Sequence, residues 1–222
     1  MQMKKLPLQR APAAASGGLR AGAAALIALV LLASGIASAQ DAPDQLVKSV
    51  GQDVLQIVRQ DRELRTGSKA KMEQLIQDKI APHFDFERMT RLAVGRSWRE
   101  ASPEQRKKLV DAFRQLLVRS YANAYNSTYK DISIDVKPLR LEPDADDVQV
   151  KSLVKLSSDA QPVTVDYSMY KSGAGWKVYD VSVAGVSLVT TYRGTFAQEL
   201  RNGGIDGLIK SLEDKNMQAA RS

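Results

Sequence analysis

Histidine is the side chain whose ordinary pKa lies nearest neutrality, and the chain has one, His83, in His83-Phe84-Asp85. A zinc centre takes three or four imidazole, thiolate or carboxylate ligands. With one histidine and no cysteine, no second imidazole or thiolate can complete such a site, and disulfides, thiolate catalysis and iron–sulfur chemistry are excluded as well. A Ser-His-Asp triad would have to use the same histidine. The closest approach to a nucleophile elbow, Gly185-Val186-Ser187-Leu188-Val189, lacks the final glycine that lets the strained turn pack. Neither a P-loop nor a G-x-G-x-x-G fingerprint is present. Glu142, Asp144, Asp146 and Asp147 cluster in a turn, without the glycine spacing of a calcium loop. Arg96, Arg99, Arg106, Lys107 and Lys108 form the densest basic stretch. They read either as the wet face of a helix start or as a patch for anionic headgroups or an acidic partner.

These residues must be carried by a chain of 222 residues, 44% hydrophobic and 26% charged, which is ordinary globular composition. Its +7 net charge is uneven: Lys4, Lys5, Arg10 and Arg20 are the only charges before position 40, leaving 28 basic against 25 acidic groups, or +3, beyond it. That near-neutral body, with no RNA or DNA motif, leaves nucleic acid out as a partner. Residues 1–39 have the parts of a secretory signal peptide in order: a basic start, the apolar run Ala21 to Ala33, and the small-x-small site Ala37-Ser38-Ala39. No lipobox cysteine follows, so the expected mature product is a free protein of residues 40–222, a single domain, exported to the periplasm.

Apolar residues at Leu46, Val50, Val54, Ile57 and Val58 predict an amphipathic helix over Pro43 to Gln60. After the polar stretch Asp61 to Gly67, Ser68 reads as the N-cap of a second helix stopping near Pro82. A third runs from Phe86 to Gly95. Ser102-Pro103-Glu104-Gln105 opens a long fourth, with Leu109, Phe113, Leu116 and Leu117 on one face, toward Asn126. From Asp131 the apolar period falls to two. Ile132 to Val136, Val148 to Leu156, Val163 to Met169 and Trp176 to Val183 predict four strands in a meander. Tyr192 to Arg201 and Ile205 to Leu212 read as two closing helices broken at Asn202-Gly203-Gly204. The expected fold class is α+β, a four-stranded twisted antiparallel sheet covered by N-terminal and C-terminal helices.

Phe113, Leu116, Leu117, Tyr121 and Tyr125 on the long helix could oppose Val163, Val165, Tyr167 and Met169 on the sheet, with Val148 and Val150 beside them. Periodicity says these residues face inward; a filled core and a hollow one give the same stripe. Composition and periodicity alone therefore give an exported α+β domain.

The ordered segments His83-Phe84-Asp85-Phe86-Glu87-Arg88-Met89, Gly95-Arg96-Ser97-Trp98-Arg99, Ser102 to Arg106 and Phe113 to Tyr121 resemble the MlaC, or toluene-tolerance auxiliary, family. Trp176 to Val181, Gly185 to Val189, Tyr192-Arg193 and Phe196 continue the resemblance; Thr190-Thr191 depart from the amide residue of its pattern. It spans about Pro43 to Leu212. The resemblance implies a periplasmic phospholipid carrier, not an enzyme and without a cofactor, with phospholipid as cargo; the alternatives beside it are an exported lipid hydrolase or acyltransferase using His83 or Ser187 and a non-catalytic periplasmic adaptor with a solid core. Its implied partners are an inner-membrane MCE-domain ABC transporter and an outer-membrane lipoprotein–porin complex, serving outer-membrane lipid asymmetry. It also implies that the helices and sheet enclose an apolar cavity. On that footing Phe113, Leu116, Leu117, Tyr121, Val148, Val150, Val163, Val165, Tyr167 and Met169 would line the pocket. Arg96, Arg99 and Lys107 would attract headgroups or dock partners.

Overall fold

Ser102 and Gln105 complete each other's backbone hydrogen bonding as their spacing predicts. The Gln105 N–H donates to Ser102 Oγ at 3.2 Å and the Ser102 N–H to Gln105 Oε1 at 3.0 Å, a capping box that launches the helix Pro103–Ala124. The computed structural model describes residues 41–124, 131–157 and 160–220. The leader, and Tyr125 and Asn126 at the expected end of the long helix, lie outside the described residues.

Among the described residues, five α-helices precede the sheet: α1 Pro43–Gln60, the single turn α2 Arg62–Arg65, α3 Lys69–Leu75, α4 Phe86–Val94 and α5 Pro103–Ala124. Two differences from the sequence reading stand out. The polar stretch after α1 contains α2, because the Asp61 carboxylate accepts from the Glu63 and Leu64 N–H groups while Leu64 is buried. The second helix is α-helical only to Leu75; Ile76–Ile80 is a π turn and Ala81–His83 a 3-10 turn. Pro82 has no N–H and its ring collides with the carbonyl four residues back, so the regular ladder cannot run through it.

The sheet is an antiparallel meander, β1 Ser133–Val136, β2 Asp147–Lys155, β3 Val163–Ser172, β4 Gly175–Val183 and β5 Val186–Ser187, ordered β1-β2-β3-β4-β5. The class is the α+β one read from sequence; β5 is a two-residue addition turned by Ala184 and Gly185, both at positive φ, too short to leave an alternating pattern. β1 begins at Ser133, so Ile132 stays outside it. Pairing of Val150 with Tyr167, Ser152 with Val165 and Tyr167 with Val181 puts these residues on one face. A bulge between Ser168 and Met169 shifts the partner of Met169 to Val178, which brings Val178 to the same face as Val181 despite their three-residue spacing.

The chain ends in α6, Leu188–Ala219, capped by Ser187 Oγ. A kink at Gly204 (φ 63°, ψ −160°) divides it into two helical stretches, at the break expected over Asn202-Gly203-Gly204; the first stretch begins at Leu188 rather than Tyr192. α4, α5 and α6 share a packed core of Met89, Leu109, Phe113, Phe196, Leu208 and Leu212. The Asn216 amide Nδ2 donates to the Ala112 carbonyl at 2.8 Å and Arg193 Nε to the Leu92 carbonyl at 2.9 Å, tying α6 to both neighbours. α1 lies against the sheet through Val47, Ile134 and Val150. A Cβ at Gly51 would sit 3.2 Å from Ile134 Cγ2, so glycine there permits the close approach of α1 to β1. Among the described residues, no helix is long and apolar enough to cross a membrane.

Candidate functional site

Val165, Tyr167 and Val183 face inward, yet each is only half-buried, because the helices opposite do not meet them. The space between is an apolar chamber of about 300 Å³. α5 supplies Leu117, Val118 and Tyr121; the π turn supplies Ile76 and Ile80; Ala81, Phe84, Phe86 and Met89 follow; the sheet side is Val165, Tyr167, Val181 and Val183, with Leu188 at the start of α6. Tyr121 is 46% exposed and marks where the chamber meets solvent. The apolar surroundings of its phenol, with Tyr192 beside it, push its pKa up to about 12; burial raises that of Tyr167 as well. Both hydroxyls therefore stay neutral and compatible with an apolar content.

A second apolar chamber, of about 130 Å³, lies between α1 and the sheet, lined by Leu46, Val50, Val54, Ile134, Met169 and Val178 among others. His83 borders it. Burial, assisted by the charge of Lys177, holds His83 below its ordinary pKa. Lys177 Nζ itself donates to the Pro82 carbonyl at 2.6 Å.

Of the ten residues proposed from sequence to line a pocket, the structure gathers Leu117, Tyr121, Val165 and Tyr167 around the larger chamber, and Tyr167 and Met169 around the smaller. The other five lie elsewhere. Phe113 and Leu116 turn to α6 rather than the sheet: the Phe113 ring meets Tyr192 at 4.8 Å and Phe196 at 5.1 Å, edge to face. Leu117, one turn on from Phe113 and in the same cluster, sits at the edge of both stripes, while Val118 and Tyr121 lie about 80–140° round α5 from Phe113. Val150 is fully buried in the packing under α1, with Val148 against the same cluster, and Val163 pairs with Val154 toward the end of the ladder. The sequence reading missed Phe84, Phe86, Ile80 and the α1 residues as lining. Their apolar character was visible, but the π and 3-10 turns that aim them were not.

The wall containing Phe84 and Phe86 is held from outside the chamber. Asp85 caps α4, its Oδ1 accepting from the Arg88 N–H at 2.8 Å, and its own N–H donates to the Val178 carbonyl at 2.8 Å. Tyr170 donates its hydroxyl to Asp85 Oδ2. The Arg88 guanidinium lies over the rings of Tyr170 and Tyr179, at 4.3 and 3.8 Å from their centroids, and pairs with Asp147 at 3.0 Å. Tyr179 donates to the other Asp147 oxygen at 2.7 Å. Asp147, read from sequence as one of a solvated turn's acids, thus fastens the start of β2 to α4.

Ser187, Lys107 and Arg106 have structural partners. Ser187 Oγ accepts from the Thr190 N–H at 3.0 Å and donates to Asp180 Oδ2, while Asp180 Oδ1 takes the Val189 N–H at 3.0 Å; this serine starts a helix. Arg96, Arg99 and Lys107 are exposed. Lys107 pairs with Asp111 at 2.5 Å and stands ten residues, about 15 Å along α5, from the lining residue Leu117. The structure therefore does not bring Lys107 to the chamber. Arg106 lies over the Trp98 ring at 5.5 Å and donates to the Trp98 carbonyl at 3.0 Å.

This arrangement has known counterparts. The chain is 23% identical over 181 residues to the intermembrane phospholipid transport system binding protein MlaC of Haemophilus influenzae, covering 81% of this chain and 80% of that one. It is 31% identical over 117 residues to toluene tolerance protein ttg2D of Pseudomonas putida, about half of each chain. The solved structure of the phospholipid-binding protein from Ralstonia solanacearum, in complex with a phospholipid, superposes with a TM-score of 0.74 at 39% identity, over 81% of this chain and 99% of that one. The MlaC protein family matches residues 48–214, and with that span, this fold and an apolar interior the chain belongs to the MlaC family.

Proposed function

We propose that this protein is a phospholipid carrier that holds acyl chains in the chamber between α5, the π turn and the sheet. The observation that carries the reading is the chamber itself: about 300 Å³ of apolar space, within the size of small-molecule pockets, in a chain that is 39% identical to a protein solved with a phospholipid. Moving lipid through water is costly at roughly 0.8 kcal/mol per exposed CH₂, so two chains with about 30 methylenes face a barrier on the order of 24 kcal/mol if they cross bare. A dry apolar pocket removes most of that barrier with no catalytic group. It must also release its load, and walls of Val, Ile, Leu, Met and aromatic carbon match bilayer burial without adding the strong polar grip that would trap a headgroup.

In this reading residues 1–39 are a signal peptide and the carrier works in the periplasm. It shuttles between an outer-membrane lipoprotein–porin complex and an inner-membrane ABC transporter with an MCE-domain ring, in support of outer-membrane lipid asymmetry. Leu117, Tyr121, Val165, Tyr167 and Met169 touch acyl chains, while exposed Arg96, Arg99 and Lys107 serve partner docking. The commitment of Ser187 to capping α6 and to Asp180 supports a carrier over a hydrolase.

Protein purified without detergent, extracted with organic solvent and examined by mass spectrometry should yield close to one equivalent of phospholipid. Repeated lipid-free preparations that also fail to take lipid from vesicles would sink the proposal.

A further inference from the structure

Among the described residues, the large apolar side chains left exposed are Tyr121, Leu141, Leu156, Val186 and Met217. Tyr121, Leu156 and Val186 collect at one end of the sheet. The pairs Val154 with Val163 and Val165 with Val183 bring the end of β2, the start of β3 and the end of β4 together. Leu156 directly follows β2, and Val186 pairs with Val183. Directly paired residues share a face, so Val186 stands on the face of Val183, which lines the larger chamber. Tyr121 joins them from α5, where that chamber meets solvent. We propose that this end of the molecule is a membrane-facing rim, in which Tyr121, Leu156 and Val186 enter the surface of an anionic phospholipid bilayer and bring the chamber's mouth against it. This rests on the carrier reading and adds to it the surface across which cargo is exchanged.

The hairpin of β4 and β5 is suited to such contact. Its two-residue turn, Ala184-Gly185, has φ of 49° and 82°, the positive pair of a type I′ turn, whose first place usually holds asparagine, aspartate or glycine. Alanine takes that place at a conformational cost, and the tip carries no polar side chain. Val186 beyond it is 61% exposed. The chain lines the chamber on both sides of the tip, through Val183 before it and Leu188 after it; Ser187 between them is taken up by Asp180 and the Thr190 N–H. Hydrocarbon therefore runs from the interior out to the tip. Charge points to the same partner. Val181 to Tyr192 has no charged side chain, the first to follow is the exposed Arg193, and Lys155 beside Leu156 is exposed as well. The acids nearby do not share the tip: Asp166 sits on the opposite face of β3 from Val165, and Asp131 precedes β1, three strands from β4. Apolar residues that enter, with cations beside them for phosphates, are the pattern of an interfacial contact, and a tyrosine suits the headgroup level.

The chain has no cysteine, so Val186→Cys provides a single labelling point. Leu141→Cys, exposed between β1 and β2 at the opposite end of the sheet, provides its control. Each variant, labelled with a nitrobenzoxadiazole fluorophore, is mixed with vesicles of palmitoyl-oleoyl-phosphatidylethanolamine and palmitoyl-oleoyl-phosphatidylglycerol that carry nitroxide-labelled lipid. The label at position 186 should be quenched and the one at 141 should not. Leu156→Ser combined with Val186→Ser should slow exchange of bound phospholipid with the same vesicles at least ten-fold, because interfacial binding scales with the apolar area that enters. That double variant should keep the wild-type dichroism and yield as much extractable lipid per protein as wild type, and Leu141→Ser should exchange at the wild-type rate. A label at 186 quenched no more than the one at 141, a double variant that exchanges like wild type, or a wild type that exchanges nothing with these protein-free vesicles would each overturn the rim. The last result would assign that end to a protein partner, and lipid recovered from the same preparations would keep the carrier reading standing. Preparations that never hold lipid overturn both.

Discussion

Val165 lines the larger chamber and is only half-buried, so a carboxylate placed there meets a void that water can follow it into. Val165→Glu should leave the far-ultraviolet dichroism and a cooperative melt intact while reducing extractable lipid at least ten-fold. In a filled core the same unpaired charge would cost several kcal/mol and unfold the domain, so unfolding would count against the chamber. His83 offers a cleaner titration, being the only histidine of the chain. Burial and Lys177 depress its folded pKa below the ordinary 6.5, so the unfolded chain takes up the proton first. Its contribution to stability is whole above about pH 6.5 and is lost as the pH falls through the folded value. The urea midpoint should therefore drop between pH 7.5 and 5.5, and His83→Gln should drop less over the same interval. Single residues were unevenly legible: His83 at a helix boundary was readable from the proline beside it. The pairing of Asp147 with Arg88, 59 positions apart in the chain, leaves no trace in local spacing.

Two helix starts were legible from the caps the sequence spells at Ser68 and Ser102, because capping is a contact over two or three residues; the caps at Asp61, Asp85 and Ser187 were not read from it. Helix interiors with irregular turns were not, since Ile76 to Ile80 keep a helical apolar spacing whether the ladder is α or π. The C-terminal break was legible at Asn202-Gly203-Gly204, because a glycine can take angles that interrupt a helix, and Gly204 does so between the two closing helical stretches. The two glycines should answer substitution oppositely. Gly204 sits at φ 63° with ψ −160°, a region essentially closed to other residues, and Gly204→Ala should cost about 1–3 kcal/mol. Gly203 lies in helix with nothing within 4 Å of a new Cβ, and Gly203→Ala should add about 0.5–1 kcal/mol. Urea denaturation of the two variants beside wild type measures both signs.

Across the molecule, the sheet, its meander order and the helices that cover it followed from apolar periods of 2 and 3.6. What periodicity could not supply was the gap between the layers, because an inward stripe looks alike whether it meets a partner or a void. The split of α5 decided it: Phe113 and Leu116 went to α6, Leu117 is shared between that cluster and the chamber, and Val118 and Tyr121 line the chamber. A molecule with such a gap gains stability from its contents, since a ligand that binds only the folded form raises stability by about 2.7 kcal/mol at a hundred times its dissociation constant. Delipidated protein should melt several degrees below the loaded form, and addition of phosphatidylglycerol vesicles should restore the difference, as read by differential scanning calorimetry. The chamber's two sides also differ in kind. One is a continuous hydrogen-bonded ladder across five strands; the other is α5 with a π turn, a 3-10 turn and a segment fastened to the sheet at a few points, the Phe84–Val178 bridge, the Tyr170–Asp85 bond and Lys177 on the Pro82 carbonyl. Such a vessel has a seamless back and a pinned front, and cargoes of unequal girth displace the front between its pins.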